Sequence, residues 1–160
     1  MSPVMEQNGG AEAQQGPREF VSMTVAGQLF GIPVLTVQDV LGEQRITRVP
    51  LALPEVAGTL NLRGRIVTAI DMRRRMGLPP REAGPNGMNV VVDRGGELYS
   101  LIVDSVGEVL SLPADSYERN PSTLEPAWRE VSVGVYRLQN ELMVVLDVAR
   151  LLDIKRAEAA

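Results

Sequence analysis

The chain has 160 residues, enough for about one domain, and carries 16 basic and 20 acidic side chains but neither His nor Cys. The missing residue types exclude disulfides, thiolate or Ser-His catalysis, and metal sites built on Cys or His. With 44% apolar and 22% charged residues, the composition is that of an ordinary globular protein. A binding protein is therefore a better first hypothesis than an enzyme.

Charge is distributed unevenly along the chain. Between Arg45 and Arg81 lie eight Arg and two acidic residues, a net charge of +6, whereas the rest of the chain has a net charge of −10. The guanidinium group suits carboxylates, phosphates and protein interfaces. This Arg45–Arg81 belt predicts either a binding surface or a solvated face that only spaces charges.

The first predicted elements follow a polar segment. Residues 1–17 lack apolar patterning and are predicted to be a disordered tail. Residues 20–25 alternate apolar and polar side chains, and residues 29–32 return after a turn, which indicates a β-hairpin. The next apolar residues have helical spacing and predict a short helix whose one face holds Val34, Val37, Val40 and Leu41.

The later elements are mostly strands. Two prolines make residues 50–54 irregular, and residues 65–72 form a strand with an apolar interior. Residues 89–92 and 98–103 flank a Gly-containing turn and predict a second hairpin. A last strand covers residues 142–146, a helical turn covers 148–154, and residues 155–160 are a charged extension.

Two internal matches suggest a duplicated unit. Residues 29–41 match residues 98–110 at a shift of 69, and residues 65–74 match residues 141–150 at a shift of 76. Units of about 70 residues that are rich in short strands fit small barrels. We therefore expect a mostly β fold of two packed β barrels, divided near residues 80–90.

Asp71 and Asp147 occupy equivalent positions in the two matched segments, each directly after an apolar strand. A carboxylate at a strand exit can cap the following turn by accepting backbone N–H bonds. The alternative, a pair of catalytic carboxylates, lacks a visible cleft or partner group. No catalytic, cofactor-binding or metal-ligating residues are predicted.

One stretch carries a family resemblance. Residues 58–77 include Gly58-Thr-Leu-Asn61-Leu-Arg63-Gly64 and then a strand that ends Ile70-Asp71-Met72-Arg73. This pattern resembles the signature of the CheW family of chemotaxis coupling proteins, and other stretches agree in order over about residues 18–154. Thr68 and Met72 stand where the family often has Pro and Leu, and residues 120–128 follow no pattern of the family.

The resemblance implies two intertwined, five-stranded SH3-like barrels with short helices. It also implies a non-enzymatic adaptor without a cofactor that couples the cytoplasmic tips of chemoreceptors to the regulatory domain of the histidine kinase CheA. Because no apolar run of about 20 residues and no signal peptide are visible, we expect a cytoplasmic protein. It would reach membrane-bound receptor arrays only through its partners, without inserting into the membrane.

The resemblance also implies the partner-binding residues. Arg63 matches an Arg implicated in receptor and kinase binding, and the region around Val37 and Asp39 matches a region that contributes to kinase contact. The full expected set is Gly58, Asn61, Arg63, Gly64, Val37, Asp39, and the repeat equivalents Val106 and Val109. The alternatives are purely structural roles: an internal ion pair, or a clamp on carbonyl groups that holds the two barrels together, for Arg63, and core packing for the valines. The alternative function is a nucleic-acid-binding small barrel that uses the Arg45–Arg81 belt.

Overall fold

The structure, a computed structural model, describes residues 18–80 and 87–153. The predicted tail over residues 1–17 and the predicted extension over residues 155–160 lie outside the described residues. The predicted division near residues 80–90 falls partly outside them and stays a prediction.

The described residues are mostly strand, as predicted. Their strands are β1 Arg18–Val25, β2 Gln28–Pro33, β3 Val37–Leu41, β4 Val56–Leu62, β5 Arg65–Asp71, β6 Met88–Arg94, β7 Glu97–Val103, β8 Ser105–Leu112, β9 Tyr117–Glu118, β10 Ser132–Arg137 and β11 Leu142–Leu146. Three short α-helices are α1 Met72–Arg75, α2 Pro126–Arg129 and α3 Val148–Leu151, and two 3-10 turns are Val34–Thr36 and Ala114–Ser116.

The strands form two sheets. The first has the order β9-β10-β11-β2-β1-β8, and the second has the order β3-β6-β7-β5-β4. Each contains one parallel pair, β11 with β2 and β5 with β7. The beginning and the end of the described chain therefore share the first sheet, while its middle forms the second. The strand pairings of the described residues do not close either sheet into a barrel, so the SH3-like detail is not confirmed.

The two predicted hairpins are confirmed. β1 pairs with β2 across Ala26 and Gly27, whose φ angles are 50° and 82°, and β6 pairs with β7 across Gly95 and Gly96. Two consecutive residues with positive φ match the right-handed twist of the flanking strands, which is why Gly is favoured in such turns. These local turn residues made the hairpins predictable.

The predicted helix around Val37 is wrong. Only Val34–Thr36 form a 3-10 turn, and Val37–Leu41 form strand β3, which pairs with β6. β-branched residues lose less side-chain freedom in a strand than in a helix. Pairing with β6 supplies the hydrogen bonds that a helix would otherwise make. Val106 and Val109, the repeat equivalents of this region, lie on strand β8.

The main core lies between the two sheets. Val25 and Ile32 from the first sheet join Val90 and Leu101 from the second sheet in one buried cluster. Trp128 packs edge-on against a buried ring of this cluster and donates its indole N–H to the carbonyl of Met76 at 2.8 Å. The stretch without a recognisable pattern thus helps to close the core over α1.

The capping prediction for the two equivalent carboxylates is confirmed. Asp71 accepts the backbone N–H groups of Arg73 and Arg74 at the start of α1. Asp147 accepts the N–H of Arg150 at the start of α3. Each satisfies N–H groups that a helix start leaves without an intrahelical partner.

Candidate protein-binding site

The turn between β4 and β5 presents the residues with the strongest family resemblance. Leu62 pairs with Arg65, so Arg63 and Gly64 form a two-residue loop with φ angles of 51° and 86°. Asn61 Oδ1 accepts the N–H of Gly64 at 3.0 Å and stabilises the loop. Arg is not a residue that this turn conformation favours, so the backbone cost at Arg63 points to a use for its side chain.

The side chain of Arg63 contacts Asp39. Its Nη2 donates to Asp39 Oδ2 at 2.9 Å, while Asp39 Oδ1 accepts the N–H of Val40 at 2.9 Å. The side chain of Arg63 is 75% exposed and that of Asp39 is 27% exposed. The internal ion pair left open by the sequence therefore exists, but its guanidinium still faces solvent and has donors free for a partner.

This ion pair joins opposite edges of the second sheet, because Asp39 lies on β3 and Arg63 follows β4. A second link is an isolated bridge in which Thr47 and Thr59 exchange two backbone hydrogen bonds of 2.8 Å. Gly58 is buried beside this bridge, and an added Cβ would collide with the Thr47 carbonyl. Gly58 thus permits the close approach of the segment around Thr47, which follows β3, to strand β4.

The three remaining expected contacts, all valines, divide into two groups. Val37 and Val106 are half-buried and pack against the main core, which agrees with the alternative that these two valines serve core packing. Val109 on β8 is 54% exposed. Asp39 and Arg63 are therefore brought together on the second sheet, whereas Val106 and Val109 lie on the edge strand of the first sheet.

Much of the Arg45–Arg81 belt is engaged inside the molecule. Besides Arg63, Arg73 pairs with Asp104, and Arg75 donates to the carbonyl oxygens of Leu151 and Arg150. Burial lowers the pKa of Arg75 from its ordinary value, although the negative charges of Glu55, Glu130 and Asp153 act to raise that pKa. These contacts hold α1 and α3 in position. Because the guanidinium groups are used within the protein, they give no support to a nucleic-acid-binding surface along the belt.

Exposed apolar side chains are features that the sequence analysis missed. Leu35 is 91% exposed in the first 3-10 turn, and Leu51 is 104% exposed with a φ of 64°. Ile66 lies beside Asn61 at a cavity of about 290 Å³. For Leu51 a signal existed, since an apolar residue in a loop with two prolines has no regular element in which to be buried. For Leu35 the sequence carries no comparable signal.

The described residues contain neither a candidate metal site nor a candidate membrane-spanning helix. No group of three or more acidic side chains there could hold a metal ion. None of the helices found in that part of the chain has the length and apolar character needed to span a bilayer.

These features define a two-sheet β protein with an exposed, ion-paired Arg turn. The CheW-like domain model matches residues 19–156, and the chain belongs to this family. It is 29% identical over 136 residues to the chemotaxis protein CheW of Klebsiella aerogenes, covering 85% of this chain and 82% of that relative. It is 28% identical to the chemotaxis protein CheW of Bacillus subtilis over 151 residues, 94% of this chain and 96% of the relative.

A solved structure agrees with this assignment. The scaffolding protein TtCheW of Thermoanaerobacter tengcongensis superposes with a TM-score of 0.73 at 26% identity. The match covers 81% of this chain and 88% of that structure. Family membership thus rests on sequence and on fold.

Proposed function

We propose that this chain is a non-enzymatic adaptor that couples chemoreceptors to the histidine kinase CheA in bacterial chemotaxis. The observation that carries the proposal is family membership over residues 19–156, together with relatives named chemotaxis protein CheW that match most of the chain. An adaptor works through surfaces, which fits a chain without His or Cys. It would act in the cytoplasm, at receptor arrays that it reaches through its partners.

The partner-binding surface would centre on Arg63 and Asp39. Asn61 and Gly64 set the turn, Gly58 lets the sheet edges approach, and Val109 extends the surface to the first sheet. In the absence of a partner, Asp39 holds the guanidinium of Arg63 in one place at 2.9 Å. Less side-chain entropy is then lost when a partner carboxylate or carbonyl accepts its remaining N–H groups.

We also propose that the two sheets form two barrel-like units related by an internal repeat. At the shifts of 69 and 76, β10-β11-β2-β1-β8 correspond in order to β4-β5-β7-β6-β3. Besides the shared core, each sheet has its own small buried cluster, around Phe20 and Tyr136 in the first and around Leu60 and Val67 in the second. These correspondences support two barrel-like units related by an internal repeat.

The test is a binding titration of the full chain. The CheA regulatory domain and a chemoreceptor cytoplasmic fragment from the same genome would each be titrated into wild type and Arg63→Ala. We expect wild type to bind both and Arg63→Ala to bind at least one about tenfold more weakly, the size expected for one lost charge-assisted contact. Arg137→Ala is the matched control, because Arg137 makes an exposed ion pair with Glu118 on the other sheet.

The outcomes test the adaptor function and the assignment of Arg63 independently of each other. If wild type binds neither partner, the adaptor function is wrong. If wild type binds but Arg63→Ala and Arg137→Ala have equal effects, the assignment of Arg63 is wrong and the function stands.

A further inference from the structure

A cavity of about 530 Å³ lies between the loop that precedes β4 and the start of α1. Residues 48–54 and the first residues of β4 form one wall, and Asp71 and Arg74 form the other. The volume of the cavity is in the range of sites that bind small molecules. It lies at the end of the β4–β5 hairpin opposite the turn of Arg63, so it is separate from the proposed partner surface.

The loop wall is held in shape by two consecutive turns, residues 49–52 and 53–56. In each turn the carbonyl of the first residue accepts the N–H of the fourth, at 3.3 and 2.9 Å, and the second residue is Pro. Proline fixes φ at about −65°, the value that this position of a turn requires. The carbonyl of Glu55 also accepts the N–H of Asp71 at 2.8 Å and ties the loop to the end of β5. The cavity is therefore formed by the protein alone.

Leu51 is the third residue of the first turn and has a φ of 64°. A turn with Pro at its second position and a positive φ at its third favours Gly at the third, because Gly has no Cβ to clash. Leu51 is nevertheless fully exposed beside the cavity and packs into no part of the core. A strained residue whose side chain contributes nothing to the core points to a use for that side chain at the surface.

The charges of the cavity are unbalanced. Arg48 and Arg74 line its two walls, and no acidic side chain in the described part of the chain pairs with either guanidinium. The repeat equivalent of Arg74 is Arg150, whose Nε lies 3.8 Å from Oδ2 of its own helix cap, Asp147. Asp71 caps α1 in the same way, with Oδ1 accepting two backbone N–H groups, but it makes no such pair with Arg74. The cavity thus has two unpaired guanidinium groups and one carboxylate.

We propose that this cavity binds a small organic phosphate, whose phosphate group accepts hydrogen bonds from Arg48 and Arg74 and whose apolar part covers Leu51. A phosphate has three acceptor oxygens and a charge of about −1.5 to −2, which suits two guanidinium groups at once. A carboxylate has two oxygens, which one guanidinium fork already satisfies. This ligand site is additional to the adaptor function and does not depend on it.

The experiment is an NMR titration of the full, ¹⁵N-labelled chain in a phosphate-free buffer. Phenyl phosphate is the probe, because it joins one phosphate to one apolar ring. We expect its addition to shift the backbone amide signals of Leu51, Ala52 and Arg74 most strongly. Inorganic phosphate lacks the ring and benzoate lacks the phosphate, so each should bind about tenfold more weakly than phenyl phosphate.

Two variants test the guanidinium groups. Arg48→Met and Arg74→Met each remove one charge at an exposed position and keep an unbranched side chain. Each should weaken the binding of phenyl phosphate about tenfold, the size expected for one lost charge-assisted contact. Arg94→Met is the matched control and should leave the affinity unchanged, because Arg94 lies at the β6–β7 turn, at the opposite end of the second sheet.

Leu51→Gly tests the apolar contact separately from stability. It removes the strain of a positive φ, so the thermal midpoint should stay the same or rise. Phenyl phosphate should then bind only as tightly as inorganic phosphate does.

Three results would overturn the proposal. The first is that phenyl phosphate leaves the amide signals of residues 48–57 unchanged. The second is that Arg48→Met and Arg74→Met bind it like wild type or like Arg94→Met. The third is that benzoate or inorganic phosphate binds wild type as tightly as phenyl phosphate does. None of these results would bear on the adaptor function, which the titrations with CheA and a chemoreceptor fragment test.

Discussion

Arg73 and Asp104 connect the two sheets through a two-pronged ion pair. Arg73 Nη2 lies 2.7 Å from Asp104 Oδ2, and its Nε lies 3.1 Å from Oδ1. The same Oδ2 accepts the N–H of Ala26 at 2.7 Å, in the β1–β2 turn. One carboxylate thus joins α1, which follows a strand of the second sheet, to a hairpin of the first sheet. Both side chains are about four-fifths buried, with 19% and 21% exposed.

Removal of the charge at Asp104 should destabilise the protein. We expect Asp104→Asn to lower the free energy of unfolding by about 2–3 kcal/mol, since it leaves a partly buried guanidinium with a weaker acceptor. Urea titration followed by circular dichroism measures the change. Glu118→Gln is the control and should cost less than about 1 kcal/mol, because its pair with Arg137 is exposed. Equal losses for the two variants would argue against a connecting role of Asp104.

Replacement of Arg63 should weaken partner binding and leave the stability of the fold nearly unchanged. Arg63→Gly removes the cost of a positive φ at a residue with a side chain, about 1 kcal/mol, and also removes an exposed ion pair of similar or smaller worth. We expect the thermal midpoint to change little while partner binding falls as for Arg63→Ala. A large loss of stability would show that Arg63 serves the fold and not a partner.

Gly58 should be far less tolerant of a side chain than Gly64. At Gly58 the φ is 149° and an added Cβ meets the Thr47 carbonyl. An added Cβ at Gly64 would have no atom within 4 Å apart from those of its chain neighbours. We expect Gly58→Ala to cost about 3 kcal/mol and Gly64→Ala about 1 kcal/mol. Amide hydrogen exchange should show loss of protection at Thr47 and Thr59 only in Gly58→Ala. Retained protection there would contradict the assigned role of Gly58.

The hydroxyl of Tyr136 should be dispensable for stability. It is buried without a hydrogen-bond partner among the described residues. Tyr136→Phe should therefore leave the free energy of unfolding unchanged or raise it by up to about 1 kcal/mol. Tyr117→Phe should instead cost about 1 kcal/mol, because that hydroxyl donates to Val133. A loss for Tyr136→Phe as large as for Tyr117→Phe would contradict this account.

Stability should decrease at alkaline pH. Burial raises the pKa of Tyr136 and Tyr117 above the ordinary value of about 10, although the charge of Arg18 opposes the shift. Because the unfolded chain loses these protons first, stability falls as the pH rises from about 10 through the folded-state pKa. Urea midpoints between pH 8 and 11 should show the fall in wild type. Tyr136→Phe should reduce its slope, and an unchanged slope would count against Tyr136 as a source.

Local chemistry explains which elements could be predicted. The two glycine-containing hairpins, the apolar strand β11 and the helix caps of Asp71 and Asp147 depend on neighbours within a few residues, so the sequence indicates them. The helix expected around Val37 was wrong because pairing with β6, some 50 residues later in the chain, outweighed the local spacing. The turn at Arg63 was predictable, whereas its pairing with Asp39 depends on how the second sheet brings its edges together.

The sequence by itself determined that this is a mostly β member of the CheW-like family without His or Cys chemistry, because composition and a contiguous motif are local properties of the chain. Only the tertiary structure decided which Arg side chains are engaged within the protein and which are exposed to a partner. Arg73 and Arg75 are engaged in contacts with Asp104 and α3, Arg63 is paired but exposed, and Arg18 lies over two rings beside Leu35. Apart from the contact of Arg18 with the Phe20 ring, those ion pairs, hydrogen bonds and ring contacts join residues 24 to 99 positions apart, which no local pattern encodes.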